Sequence, residues 1–221
     1  IGYIEKVDPF AVKVAALSES VKEGKIEYVS DDVTELYLSE VKKRSVGSAD
    51  GLKVAYSPLN GTGYKLVPEM LKRIGVAALD IVKEQGYPDG RFTTCSYPNP
   101  EKAEALKLGL ELAKAKDTDI LIATDPDADR MGIAVKHGGG YTLMTGNEVG
   151  VLLTDFLFSR RKENGTLPKN PVLVKTIVST NLAVKVAEEY GAEIYNVLTG
   201  FKYIGDVIGK SGKTINKIVD D

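Results

Sequence analysis

The chain has 221 residues, of which 43% are hydrophobic and 27% are charged, and its formal net charge is −2. This is the composition of an ordinary globular protein, long enough for one large domain or two moderate ones. The near balance of charges gives no support to a polyanion partner held by bulk positive charge.

Features of redox state and targeting point to a cytoplasmic protein. The single cysteine, Cys95, cannot form an intrachain disulfide and fits a reducing compartment. No apolar run reaches the roughly 18 residues of a membrane span, so no membrane partner is expected. The chain opens without a signal peptide or a methionine, and its first residues look like the continuation of an earlier segment.

The elements along the first two thirds of the chain alternate between helix and strand. An amphipathic helix is predicted over 31–46, with an Asp at its cap and an early Glu, and the polar stretch 45–51 then marks a domain boundary. The later predicted elements are strands at 52–56, 78–82 and 119–124, helices at 65–74 and 101–116, and a hairpin over 132–144.

This alternation predicts an α/β fold, a layered α/β/α domain with a mostly parallel mixed sheet. The pattern then repeats as part of a second, similar α/β domain, with a helix at 145–161, a strand at 172–178, a helix at 181–190 and a strand at 193–197. Ligands usually bind beyond the carboxyl ends of the strands in such sheets, so the loops there are the candidate sites.

The loop Thr124–Arg130 carries three aspartates, Asp125, Asp127 and Asp129, directly after an apolar run. Clustered carboxylates supply the oxygen ligands that a hard divalent cation prefers, and Pro126 stiffens the loop by fixing φ. Arg130 can offset the repulsion of the carboxylates or bind a phosphate. Asp-rich turns also occur without metal, because Asp favours turns and helix caps. The pattern alone therefore leaves both interpretations open.

Four segments together resemble the α-D-phosphohexomutase family, the phosphoglucomutases and phosphomannomutases, and most closely its bacterial phosphoglucomutase-like branch. The order and spacing of the segments agree with the family over roughly residues 1–205. The four segments are Leu59–Gly63, Thr124–Arg130, Leu143–Glu148 and Leu198–Gly205.

The resemblance implies a domain organisation. Residues 1–45 would be a linker and helix before domain II, residues 46–145 would be domain II with the metal loop, and residues 146–205 would begin domain III. The tail, residues 206–221, instead resembles the Gly-x-x-Gly segment of a KH domain, which suggests a nucleic-acid-binding fragment as the alternative function. The bulk charge argues against this alternative, so nucleic acid is not the expected partner.

The resemblance also implies site residues. The three aspartates of the 124–130 loop would bind Mg²⁺, and Arg130 would approach the phosphoryl group. Thr199, Gly200 and Lys202 would contact the sugar, and Lys202 would assist proton transfer. Without the resemblance, Lys202 is most simply a solvated loop lysine, and Asn60–Gly63 is most simply a strand-to-helix turn.

The family's phosphoryl group is carried by a serine in a Thr-Ala-Ser-His-Asn-Pro-type loop, and no such loop occurs in the sequence. We therefore expect a fragment of a phosphosugar mutase that carries the Mg²⁺ loop and is inactive alone. Its parent would interconvert glucose 1-phosphate and glucose 6-phosphate or related sugar phosphates. Exposed interdomain surfaces on the fragment would allow self-association.

Overall fold

The computed structural model describes residue 2 and residues 4–210, and the chain divides between Lys43 and Arg44 into two units. The first unit contains a 3₁₀ turn (Ile4–Lys6) and two helices, α1 (Leu17–Lys22) and α2 (Asp31–Lys43). The helix predicted over 31–46 is thus confirmed as α2, although it ends at Lys43.

The second unit is organised around a five-stranded mixed sheet in the order β2-β1-β3-β4-β5. Its strands are β1 (Lys53–Ser57), β2 (Ala78–Ile81), β3 (Ile120–Thr124), β4 (Met131–His137) and β5 (Gly140–Met144). The central strand β1 pairs in parallel with β2 and β3, whereas the β3–β4 and β4–β5 pairs are antiparallel. The predicted α/β class with a mixed sheet is confirmed, and half of the pairings are parallel.

Two helices connect the parallel strands, α3 (Leu66–Arg73) between β1 and β2, and α4 (Lys107–Lys116) between β2 and β3. Gly75 follows α3 with a φ of 99°, a left-handed conformation that glycine adopts at little cost. The helix predicted from residue 101 begins six residues later, at Lys107, because successive turns occupy residues 101–106. Asn99 closes the first of these turns by accepting a 3.0 Å hydrogen bond from the Glu101 N–H at its side chain.

The core of this unit is a cluster of buried apolar side chains from the strands β1, β3 and β4, the loop after β1, and α4 with the turns that precede it. Gly109 of α4 lies so close to β3 that an added Cβ would come within 2.7 Å of Leu121 Cδ1. The cluster consists of Ala55, Leu59, Ala105, Leu106, Ala113, Leu121, Ala123 and Ala134. It fixes the carboxyl ends of β1 and β3, from which the candidate site extends.

The rest of the unit follows the hairpin β4–β5. It comprises α5 (Gly146–Glu163), β6 (Val172–Thr176), α6 (Leu182–Glu189), β7 (Glu193–Val197) and α7 (Phe201–Lys210). The strands β6 and β7 form a separate two-stranded parallel sheet. Thr145 and Glu148 form a capping box at the start of α5.

Helix α5 keeps much of its apolar face exposed within the described part of the chain. Four of its large apolar side chains retain between 40% and 57% of their surface exposed, namely Leu152, Leu153, Phe156 and Leu157. Self-association through such a surface stays a prediction. Among the described residues, no helix has the length and apolar character that crossing a bilayer requires.

We predict that Tyr56 links stability to alkaline pH. Its side chain is fully buried and shares a 2.8 Å hydrogen bond with Thr124 Oγ1, and burial raises its pKa to about 12. The unfolded chain therefore ionises Tyr56 from about pH 10 upward, while the folded chain keeps it neutral until about pH 12. The stabilisation from the neutral phenol is complete below pH 10 and declines as pH rises.

Urea unfolding of the unmodified chain and of Tyr56→Phe measures this effect, because the other tyrosines are common to both. The difference in unfolding free energy between them should shrink by about 1 kcal/mol from about pH 9 to about pH 11. A difference that stays constant over this range would contradict the linkage.

Candidate metal centre

The candidate site is the loop Thr124–Arg130, which joins β3 to β4. Its backbone closes on itself, since the Asp125 N–H donates to Arg130 O at 3.2 Å and the Ala128 N–H donates to Asp125 O at 3.0 Å. Ala128 has a φ of 61°, a left-handed conformation that turns the chain between the second and third aspartates. The loop therefore forms a tight turn, which brings the side chains of Asp125, Asp127 and Asp129 together.

Asp125 is the buried member of the cluster, with 1% of its surface exposed. Its Oδ1 accepts a 3.0 Å hydrogen bond from the Arg130 N–H, and its Oδ2 accepts a 2.8 Å bond from Arg130 Nε. Burial alone would raise the pKa of Asp125, but the hydrogen bonds and the charge of Arg130 outweigh it and lower the pKa. Asp125 is therefore a carboxylate at neutral pH, held in one orientation by Arg130.

The structure brings the three predicted ligands together, because one carboxylate oxygen from each of Asp125, Asp127 and Asp129 lies within 4.8 Å of the others. Asp127 and Asp129 are exposed. Desolvation raises the pKa of Asp129 most, and the negative charges of Asp127 and Asp125 raise it further, because they repel the charged form of Asp129.

The donor set fits a hard divalent cation. Three carboxylates and one guanidinium give the loop a formal charge of −2 when all are ionised, which a divalent cation balances. Each oxygen of Asp125 keeps a second lone pair while it accepts from Arg130. Oxygen-only ligands with this charge suit Mg²⁺, Mn²⁺ or Ca²⁺ rather than a softer metal.

Arg130 occupies the position between the carboxylates. Its Nε lies 2.8 Å from Asp125 Oδ2 and 3.6 Å from Asp129 Oδ1, while 54% of the side chain stays exposed. The hydrogen bond to Asp125 raises the pKa of Arg130, so the guanidinium remains charged. Arg130 therefore offsets the repulsion of the cluster and still presents a large exposed surface.

The predicted sugar contacts follow the second sheet. Thr199 and Gly200 lie between β7 and α7, and Lys202 lies in the first turn of α7, whereas the aspartates follow β3. Gly200 has a φ of 130°, and Lys202 is exposed with its Nζ 4.8 Å from the centre of the Tyr203 ring. The structure thus brings the aspartates and Arg130 together and leaves these three residues on a separate element.

The segment after β1 contacts the aspartate loop directly, a contact that the sequence pattern does not predict. The Thr62 N–H donates to the carbonyl oxygen of Pro126 at 2.8 Å. Gly61 packs against Pro126 so closely that an added Cβ would lie 2.5 Å from that same oxygen. The run of small and turn-forming residues after β1 indicates a turn, but nothing in it identifies Pro126 as the partner.

Two family profiles match most of the chain. Residues 31–139 match "Phosphoglucomutase/phosphomannomutase, alpha/beta/alpha domain II", and residues 145–216 match "alpha/beta/alpha domain III" of the same family. The second match continues beyond Gly205, the last residue of the four segments that carry the resemblance. Residues 206–210 continue α7, and residues 211–218, which complete the KH-like pattern, lie outside the described residues.

Curated relatives and solved structures agree with these profiles. A phosphoglucomutase of Staphylococcus saprophyticus is 38% identical over 97% of this chain and 39% of its own length. A phosphomannomutase of Mycoplasmoides pirum is 34% identical over 84% of this chain and 34% of its own length. The crystal structure of a family protein from Burkholderia thailandensis shares the fold, with a TM-score of 0.66 and 21% identity over 89% of this chain and 41% of that one. The chain thus spans about two fifths or less of the length of these relatives.

We predict that the aspartate loop binds a divalent cation through Asp127. Replacing Asp127 by Asn removes one charged oxygen ligand from an exposed position, so affinity should fall by roughly tenfold or more while stability changes little. Titration with Mn²⁺, followed by the electron paramagnetic resonance of the free ion, measures the affinity.

The matched control is Asp117→Asn. Asp117 is exposed, lies outside the loop, and has a φ of 52°, which asparagine also tolerates. The control removes the same charge and should leave affinity unchanged. Equal weakening by both variants would show that the effect is general electrostatics and not ligation.

Proposed function

The chain belongs to the phosphoglucomutase/phosphomannomutase family, and from this premise we propose that it is the cation-binding and sugar-contacting part of a phosphosugar mutase. The reaction of such an enzyme moves a phosphoryl group between two positions of a sugar phosphate, such as glucose 1-phosphate and glucose 6-phosphate. The observation that carries the proposal is that the carboxylates of Asp125, Asp127 and Asp129 converge within 4.8 Å, and that Asp125 among them is buried and ionised.

In this proposal the loop supplies electrostatic stabilisation. A bound Mg²⁺ would neutralise charge on the transferring phosphoryl group. Asp125 offers a carboxylate whose orientation is already fixed by Arg130, and Asp127 and Asp129 contribute exposed oxygens beside it. A ligand arrangement that is set before the cation arrives costs less ordering entropy on binding than a mobile one.

Arg130 has two functions in the proposal. Its Nε holds Asp125 at 2.8 Å, and its guanidinium brings a positive charge to the edge of the cation site. A phosphoryl group approaching the cation would meet this charge as well, and guanidinium donors suit phosphate oxygens.

The segment 199–202 is proposed to contact the sugar. The left-handed Gly200 turns the chain between β7 and α7, and Thr199 and Lys202 on either side of it are exposed. A hydroxyl and an ammonium group at such a turn can donate hydrogen bonds to sugar hydroxyls, and Lys202 can transfer a proton. The partner of the whole enzyme would then be a sugar phosphate.

We predict that the isolated chain does not convert glucose 1-phosphate to glucose 6-phosphate, even with Mg²⁺ and glucose 1,6-bisphosphate present. Its sequence contains no serine loop of the family type, so no residue is assigned to carry the phosphoryl group. A coupled assay with glucose 6-phosphate dehydrogenase detects the product. Turnover that persists after repeated purification and is lost in Asp127→Asn would contradict this expectation and place the whole activity in this chain.

A further inference from the structure

The segment after β1, residues 59–63, has an unusual backbone. Leu59 and Asn60 have φ values of 46° and 59°, so two consecutive residues other than glycine lie in the left-handed region. A residue other than glycine is strained in this region and persists there only where its surroundings enforce it. We refer to residues 59–63 as the β1 loop, and its surroundings explain the conformation.

One side of the β1 loop is fixed by Asn60. The Asn60 Nδ2 donates to the carbonyl oxygens of Tyr87 (2.9 Å) and Glu84 (3.3 Å), and its Oδ1 accepts from Thr94 Oγ1 at 3.2 Å. The backbone N–H of Asn60 donates to Gln85 O at 3.0 Å. These bonds hold Asn60 to the segment that follows β2 and leave it 7% exposed.

The other side of the β1 loop contacts the aspartate loop at one residue. Thr62 donates its N–H to Pro126 O, and Gly61 packs on the Cα and carbonyl group of Pro126. Pro126 lies between Asp125 and Asp127 in the chain, so its position sets where the backbone of both aspartates lies. The parallel pairing of β1 and β3, with Ser57 opposite Ala123, brings the two loops out of the sheet side by side.

We propose that the β1 loop positions the cation ligands, with Gly61 and the Thr62 N–H as positioning residues that act through Pro126. The inference rests on the proposed cation binding by the aspartate loop. It adds that the affinity depends on a contact made by residues that offer no ligand atom. Outer contacts that orient metal ligands typically contribute 10- to 100-fold in affinity.

The sharpest test is Thr62→Pro, because proline has no N–H with which to donate a hydrogen bond to the carbonyl oxygen of Pro126. The backbone here admits proline, since Thr62 opens a 3₁₀ turn and Gly61 before it is extended, with φ −108° and ψ −172°. The proline ring also takes the place of the hydrogen bond, so it pushes the Pro126 carbonyl away as well as removing the donor. The matched control is Thr62→Ala, which keeps the N–H and removes only an exposed side chain. Mn²⁺ affinity should fall roughly 10- to 100-fold in Thr62→Pro and change less than about twofold in Thr62→Ala.

A second pair of variants separates positioning from general loss of stability. Gly61→Ala introduces a Cβ against Pro126, and Gly109→Ala introduces one against Leu121 in the core of the same sheet. Both should lower the unfolding free energy, because overpacking strains the surrounding structure. Only Gly61→Ala should weaken Mn²⁺ binding at temperatures where both variants are folded.

The outcomes distinguish the inference from the function on which it rests. Unchanged affinity in Thr62→Pro and Gly61→Ala, with binding by the unmodified chain intact, would overturn the positioning role alone. Equal weakening in Gly61→Ala and Gly109→Ala would assign the effect to stability and would also overturn it. If the unmodified chain binds no Mn²⁺, or if Asp127→Asn binds as tightly, the proposed function fails and the inference fails with it.

Discussion

The mutual repulsion of three carboxylates is the constraint on which the site depends. Asp125, Asp127 and Asp129 place oxygens within 4.8 Å of one another, and like charges at that range destabilise the loop unless something balances them. Arg130 supplies part of the balance through two hydrogen bonds to Asp125. The remaining formal charge of −2 is one that a bound divalent cation would balance.

The architecture of the second unit serves to hold this repulsive loop in place. The parallel pairing of β1 and β3 brings two loops out of the same edge of the sheet, and the helix α4 packs on the strands from which they extend. One loop carries the aspartates, and the other contacts its backbone at Pro126. Strain at Leu59 and Asn60 is consistent with this, because left-handed residues persist where neighbouring contacts require them.

The regular elements and the convergence of the three aspartates could be predicted, because the sequence patterns that indicate them are short and local. Periodicity located most strands and helices, and the spacing of Asp125, Asp127 and Asp129 is typical of a converging loop. Turns replaced the first part of the predicted helix at 101–116. Asn99 closes the first of them by accepting from the Glu101 N–H, a local side-chain alternative to helical hydrogen bonding. The Thr62–Pro126 bond could not be predicted, because it joins residues far apart in sequence through backbone atoms that every residue type shares.

The cation site is tested most directly by a crystal structure of the chain grown with Mn²⁺ and measured at an X-ray energy where manganese scatters anomalously. One strong anomalous peak is expected in the loop after β3, within coordination distance of oxygens from Asp125, Asp127 and Asp129. A loop that carries no peak while manganese is bound elsewhere, or a peak that contacts Asp129 alone, would contradict the assignment of the three aspartates as a cation site.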